Sequence, residues 1–177
     1  MPSYYFGGAP VTQYSPAVFD EFVNQIKVSS SVGLLQSENG IWNRSQVWGA
    51  RVGALDRNAK VGVGLEPYDQ GIFTHGSDSA YPPDRSHAIF PSILVVSWSN
   101  ASLDETMANA VRGIANKIQA AALADGQNVS HAAVYPNYAL FGTPLEDMYG
   151  GNVERLREIK AAIDPEDVMG LAGGWKF

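Results

Sequence analysis

The stretch QVWGARVGALDRNAKVGVGLEP, residues 46–67, decides how the rest of the chain is read. Over 46–55, alternation puts Gln46, Trp48, Ala50, Val52 and Ala54 on one side of an extended segment. Over 60–67 it sets Val61, Val63 and Leu65 against Gly62 and Gly64. Asp56-Arg57-Asn58 between them is turn chemistry. The pair reads as part of an antiparallel meander. Two glycines on one strand face predict a shallow trough that another group can approach.

On the N-terminal side, Asn39-Gly40 is a hairpin signal that follows a short apolar run, VGLLQ over 32–36. Further upstream, Ser15-Pro16 opens a helix in which Val18, Phe19, Phe22, Val23 and Ile26 form one stripe. On the C-terminal side, residues 68–91 carry Gly71, Gly76, Pro82, Pro83 and Pro91, which predicts a short helix near 68–74 and then a long loop. SILVVSWS over 92–99 is a strand. Ser102-Leu103-Asp104-Glu105 is a capping-box pattern, and Met107, Val111, Ile114 and Ile118 share a face of the helix it opens. Gly126 closes that helix. HAAVYPNYA over 131–139 predicts a last strand, at an edge or bulged because Pro136 cannot donate to a ladder. A final helix over 152–163 turns Val153, Leu156, Ile159 and Ile163 inward and stops at Asp164-Pro165.

Strands outnumber helices and do not alternate with them strictly. The order therefore predicts an α+β fold, an antiparallel β-sheet covered on one face by helices, in a single domain over 1–177. The opposite sheet face needs solvent, a ligand or a second copy of the chain. A length of 177 residues suits one core.

A net charge of −6 argues against nucleic-acid and anionic-membrane partners, and the 12 Lys and Arg are scattered. Cysteine is absent, which excludes disulfides, thiolate nucleophiles and cysteine-based zinc sites. No apolar run approaches the ~20 residues of a membrane span. The opening MPSYYFGGAP does not read as a secretory leader, so a cytoplasmic location is expected. Three sequons, at Asn43, Asn100 and Asn128, read as polar loops.

The C-terminal features carry a resemblance. Tyr135-Pro136-Asn137-Tyr138, Tyr149-Gly150-Gly151, an amphipathic helix ended by Asp164-Pro165 and a Gly173-Gly174-Trp175 tail follow one another. Upstream lie Leu65-Glu66-Pro67 and Ser97-Trp98-Ser99-Asn100. This order resembles the C-terminal portion of fungal FAD-linked oxidases of the berberine-bridge-enzyme type. The resemblance implies a substrate domain whose sheet lies over a flavin ring, with Asn137 and Tyr138 near the flavin. It also implies an N-terminal flavin domain, of which this sequence shows no sign. No G-x-G-x-x-G follows a strand, and Gly7-Gly8 and Gly173-Gly174 are isolated pairs. No cofactor is therefore expected.

The candidate catalytic residues are Tyr138 and the only three histidines, His75, His87 and His131, which share no metal-ligand spacing. Each histidine also reads as a surface or structural residue. Asp56, Glu66 and Asp69 are carboxylates without distinguishing context. Trp42, Trp48, Trp98, Tyr135 and Asn137 are the candidate substrate-binding residues, the aromatics having core or dimer-interface packing as the alternative. No metal site is expected. The function expected is a cofactor-independent enzyme of fungal secondary metabolism that isomerises, dehydrates or cyclises a polyketide- or terpenoid-like intermediate. The alternatives are a non-catalytic ligand-binding or docking module, or a flavoprotein retaining weak FAD binding. A small-molecule substrate and a homodimer are the expected partners.

Overall fold

The computed structural model describes residues 3–31, 42–43, 46–51, 60–66, 68–69, 72–73, 75, 79–86 and 89–177. Five strands form one antiparallel sheet in the order β1-β5-β4-β3-β2. They are β1 (Ser3–Val11), β2 (Trp42–Asn43), β3 (Gln46–Arg51), β4 (Lys60–Leu65) and β5 (Phe90–Trp98). Two long helices, α1 (Pro16–Ser31) and α2 (Asp104–Ala124), cover one face. The short α3 (Leu145–Tyr149) and α4 (Val153–Ile163) complete the chain. The expected α+β fold, with an antiparallel sheet and helices on one side, is what the chain adopts.

Period-2 patterning builds the sheet. On β5, Leu94, Val96 and Trp98 are buried while Ile93, Val95 and Ser97 are half-buried. Val61 and Val63 of β4 pair with Val96 and Leu94, so one face is continuously apolar. Val18, Phe22 and Ile26 of α1 and Met107, Val111, Ile114 and Ile118 of α2 cover it. Each such side chain contributes about 1.5–3 kcal/mol relative to exposure. The pairing of β3 with β4 matches the predicted meander, but a register shift between Trp48 and Ala50 sets Ala50 opposite Val61, which breaks the unbroken alternation read over 46–54. Residues 32–40, 52–59, 70–71 and 74 lie outside the described residues, as do the readings made on them.

Four readings need correction. First, the chain opens with a nine-residue strand that sequence patterning did not reveal. β1 pairs with β5 from Ser3↔Trp98 to Val11↔Phe90 and holds the sheet edge, where Pro10 is tolerated opposite Pro91. Second, residues 131–139 are turns, not a strand. Tyr138 N–H donates to the Tyr135 carbonyl at 2.9 Å, with Pro136 in the second position of the turn, where its fixed φ fits. Third, α2 lacks a capping box. Asn100 accepts from the Ser102 N–H at 3.1 Å and caps the preceding 3₁₀ turn instead. Fourth, only Val153 of α4 is buried, and Ile163 is 79% exposed.

One close approach fixes the layers. A Cβ on Gly7 would lie 2.2 Å from Val111 Cγ1, so α2 rides directly on β1. Among the described residues, no helix is long and apolar enough to cross a membrane.

Candidate functional site

The open face of the sheet begins at β1. Tyr4 is 62% exposed and Phe6 38%, and they pair with Ser97 and Val95 of β5. The trough expected over Gly62 and Gly64 is closed at Gly64. A Cβ on Gly64 would lie 2.5 Å from Ile93 Cγ2, so the neighbouring strand fills it.

The lower part of this face is crossed by the turn at 135–138, and a cluster of phenols around one carboxylate sits there. Glu66 leaves the end of β4 with its backbone clamped by a tyrosine. Its N–H donates to the Tyr14 hydroxyl at 3.0 Å, and that hydroxyl is 3.2 Å from the Pro91 carbonyl and 3.3 Å from the Glu66 carbonyl. The Glu66 carboxylate accepts from Tyr138, whose hydroxyl is 2.9 and 2.8 Å from its two oxygens. Tyr68 donates to the same carboxylate at 3.2 Å. A Cβ on Gly8 would lie 3.1 Å from Tyr138 Cβ, so this glycine lets the turn settle on β1. Tyr135 stands edge-on to Tyr138 with ring centres 5.0 Å apart, and its hydroxyl accepts from Asn137 at 2.8 Å. Tyr81 and Phe73 extend the aromatic row. Arg85 fixes that loop by donating to the carbonyls of Phe73, His75 and Tyr81 at 2.9, 3.0 and 3.2 Å, and to the Ser79 hydroxyl.

The phenols are held in their neutral form. Burial, reinforced by hydrogen bonding and charge from Glu66, pushes Tyr138 well above the ordinary tyrosine range. Burial first, then the Glu66 charge, raises Tyr68. Burial lifts Tyr14 to about 12. Tyr81 is raised chiefly by burial, and its hydroxyl is sealed from solvent without a partner among the described residues. A carboxylate ringed by neutral phenols can accept a proton and offer hydrogen-bond donors beside it.

Three of the sequence-predicted residues, Tyr135, Asn137 and Tyr138, are thus brought together. Trp98 is not with them. It is buried under the helices, and its indole donates to Asp104 Oδ1 at 2.6 Å. His75 is an exposed loop residue. His131 lines a separate groove of about 590 Å³ on the far side of β1. The side chains of Trp42 and Trp48, and all of His87, lie outside the described residues. Glu66 was named only as one of three possible carboxylates, and Tyr68, Tyr14 and Tyr81 were not named as site residues by sequence reasoning. A charged residue between a strand end and Pro67, two positions before Tyr68, was the available signal for the first two. Among the described residues, no three metal-ligating side chains converge.

Flavin is the cofactor the resemblance implies, and its phosphates would need backbone N–H groups. Neither the Gly7-Gly8 pair nor the starts of α2, α3 and α4 supply a cradle. Gly7 and Gly8 are taken up by Val111 and Tyr138. The first turns of α2, α3 and α4 carry Asp104 and Glu105, Glu146 and Asp147, and Glu154, which repel phosphate.

Residues 134–172 match the model of the family described as berberine and berberine like, a stretch that contains Tyr135, Asn137 and Tyr138. No curated protein matches the chain. The solved structure of aclacinomycin oxidoreductase has a TM-score of 0.50 at 16% identity, covering 93% of this chain and 30% of that one. At that identity the likeness speaks to fold alone, and this chain spans less than a third of that protein. Residues 134–172 are thus similar to the berberine-like family, and the solved structure shares the fold.

Proposed function

We propose that the open sheet face binds a small organic molecule and that Glu66 and Tyr138 move a proton on it without a cofactor. The chemistry proposed is isomerisation, dehydration or cyclisation of a reactive polyketide- or terpenoid-like intermediate, of the kind fungal secondary metabolism produces. The observation that carries this reading is the Glu66 carboxylate, with the Tyr138 hydroxyl within 2.9 Å of both oxygens. The carboxylate takes a proton from a carbon next to a carbonyl. The electron pair moves onto the carbonyl oxygen, and Tyr138 or Tyr68 donates a hydrogen bond to the oxyanion that forms. Return of the proton at another carbon isomerises the substrate, and loss of a β-hydroxyl as water dehydrates it. Neutral phenols suit this role because they remain donors at neutral pH. The aromatic row supplies a wall for the substrate.

The test is titration of protein carrying ¹³C-labelled tyrosine rings with enolisable aryl ketones. The Tyr68 and Tyr138 resonances are expected to move first and to lose that response in Glu66→Gln. A folded protein whose tyrosine signals ignore every ketone would refute the proposal.

A second reading, docking on another protein, draws on a different observation. Ile163 at 79% and Leu171 at 90% exposure, with Val168 and Met169, leave an apolar surface on α4 and the turn after it. Under this reading, or in a homodimer, these residues become buried. Light scattering of the pure protein distinguishes monomer from dimer, and a monomer counts against the dimer.

A further inference from the structure

We propose that residues 173–177 form a strap that locks the 135–138 turn, with Trp175 as a positioning residue for Tyr138. The inference deepens the proton-transfer reading, and its catalytic consequence rests on that reading.

The turn has a weak point. One internal bond closes it, from the Tyr138 N–H to the Tyr135 carbonyl at 2.9 Å. That bond survives a half-rotation of the central peptide, between Pro136 and Asn137, which converts a type I turn into type II. Pro suits its position in both types, and Asn tolerates the positive φ that type II requires. Asn137 sits on the negative-φ side. A flip would swing its side chain, whose Nδ2 donates to the Tyr135 hydroxyl at 2.8 Å, and would disturb the turn that aims Tyr138 at Glu66. The oxygen that such a flip must move is the Pro136 carbonyl. That oxygen is the one the Trp175 indole N–H holds, at 3.3 Å.

The strap is built to make this contact. The 3₁₀ turn over Met169–Ala172 leads into Gly173 and Gly174, at φ 84° and 94°, left-handed values that reverse the chain. Lys176 donates to the Gly170 carbonyl at 2.6 Å and lies 4.0 Å from Asp167. Asp167 is in turn 3.1 Å from Lys160 of α4, so the strap is anchored beyond Trp175. Phe177 stands edge-on to Tyr149 at the end of α3, with ring centres 5.4 Å apart. The Asp147 carbonyl of the same helix accepts from the Val134 N–H at 2.9 Å, just before the turn. The strap therefore grips the turn directly at Pro136 and indirectly through α3.

The test is the ¹³C-tyrosine ring spectrum of the full chain without ligand, for wild type, Trp175→Phe and Gly174→Ala. Trp175→Phe keeps an aromatic ring and removes the donor. A Cβ on Gly174 would meet no atom within 4 Å, so Gly174→Ala acts only through the strained positive φ. Both variants are expected to shift or broaden the Tyr135 and Tyr138 signals and to leave Tyr14 in place. Deuterium exchange into an enolisable ketone should fall about twofold to tenfold in Trp175→Phe, the range of one neutral hydrogen bond. Tyr135 and Tyr138 signals that match wild type in folded Trp175→Phe overturn the proposal. So does equal movement of Tyr14, the sign of general loosening. Where Trp175→Phe does not fold, Gly174→Ala decides by the same criterion. The spectra need no ketone, so the two readings fail separately. A strap response without any ketone response ends the proton-transfer reading alone, and a ketone response with an unmoved Tyr138 in Trp175→Phe ends this one alone.

Discussion

Breaking the pair of Glu66 and Tyr138 one partner at a time gives the sharpest stability prediction. Tyr138→Phe removes the hydroxyl that lies 2.8 and 2.9 Å from the two carboxylate oxygens. A hydrogen bond to a charged group contributes about 1.5–3 kcal/mol when shielded. Both residues are only half-buried, so solvent screening reduces that figure, and about 1 kcal/mol of coupling is the reasonable expectation. Glu66→Gln keeps the shape and removes the charge, while Tyr68 keeps one bond to the position. The assay is a double-mutant cycle of urea unfolding midpoints for wild type, Tyr138→Phe, Glu66→Gln and the double variant at neutral pH. Additivity within about 0.3–0.5 kcal/mol is what unconnected sites show. A coupling inside that band would mean that the two groups do not act on each other, and the reasoning for the site would fail with it.

Gly7→Ala should cost about 1–3 kcal/mol, because its Cβ would lie 2.2 Å from Val111 Cγ1 on a stiff β-branched side chain. Val111→Ala in the same chain should recover part of that loss, and a neutral Gly7→Ala in thermal unfolding would contradict the packing. Tyr14 ties stability to high pH. Its folded value is about 12 against an ordinary 10, so the fold favours the neutral phenol. That contribution is complete below pH 10 and is lost as pH rises towards 12. Tyr14→Phe should therefore flatten the alkaline fall in urea midpoints, and an unchanged slope would refute the assignment. Asp164→Ala should speed hydrogen exchange at the amides of Val168 and Met169, which its carboxylate accepts at 2.8 and 3.1 Å. Unaltered exchange there would show that the carboxylate does not hold the turn.

Strong periodicity was legible in the sequence wherever burial sets the pattern. Met107, Val111, Ile114 and Ile118 fall on the covered face of α2, and Leu94, Val96 and Trp98 on the covered face of β5. β1 was hidden because Gly7, Gly8 and Pro10 depress any strand signal. What makes it a strand is tertiary: α2 needs a glycine under Val111, and the edge tolerates a proline. The 131–139 stretch misled in the opposite direction. It read as an edge or bulged strand, but Pro136 and Asn137 fit a turn, and the Tyr138 N–H closes it. Ile159 and Ile163 follow helical spacing and still face outward, because spacing says which side of a helix is apolar and not whether anything covers it. The site was half legible for a related reason. Tyr135, Asn137 and Tyr138 are neighbours in sequence, whereas Glu66 reaches Tyr138 across 72 positions, and no local pattern encodes that meeting.

The most direct test of the proton-transfer account is deuterium wash-in at the α-carbon of an enolisable ketone in D₂O, catalysed by flavin-free protein. General-base catalysis predicts exchange with the wild type and a loss of about 10²–10⁴-fold in Glu66→Gln. Equal exchange by the two proteins, or none by the wild type, would contradict it.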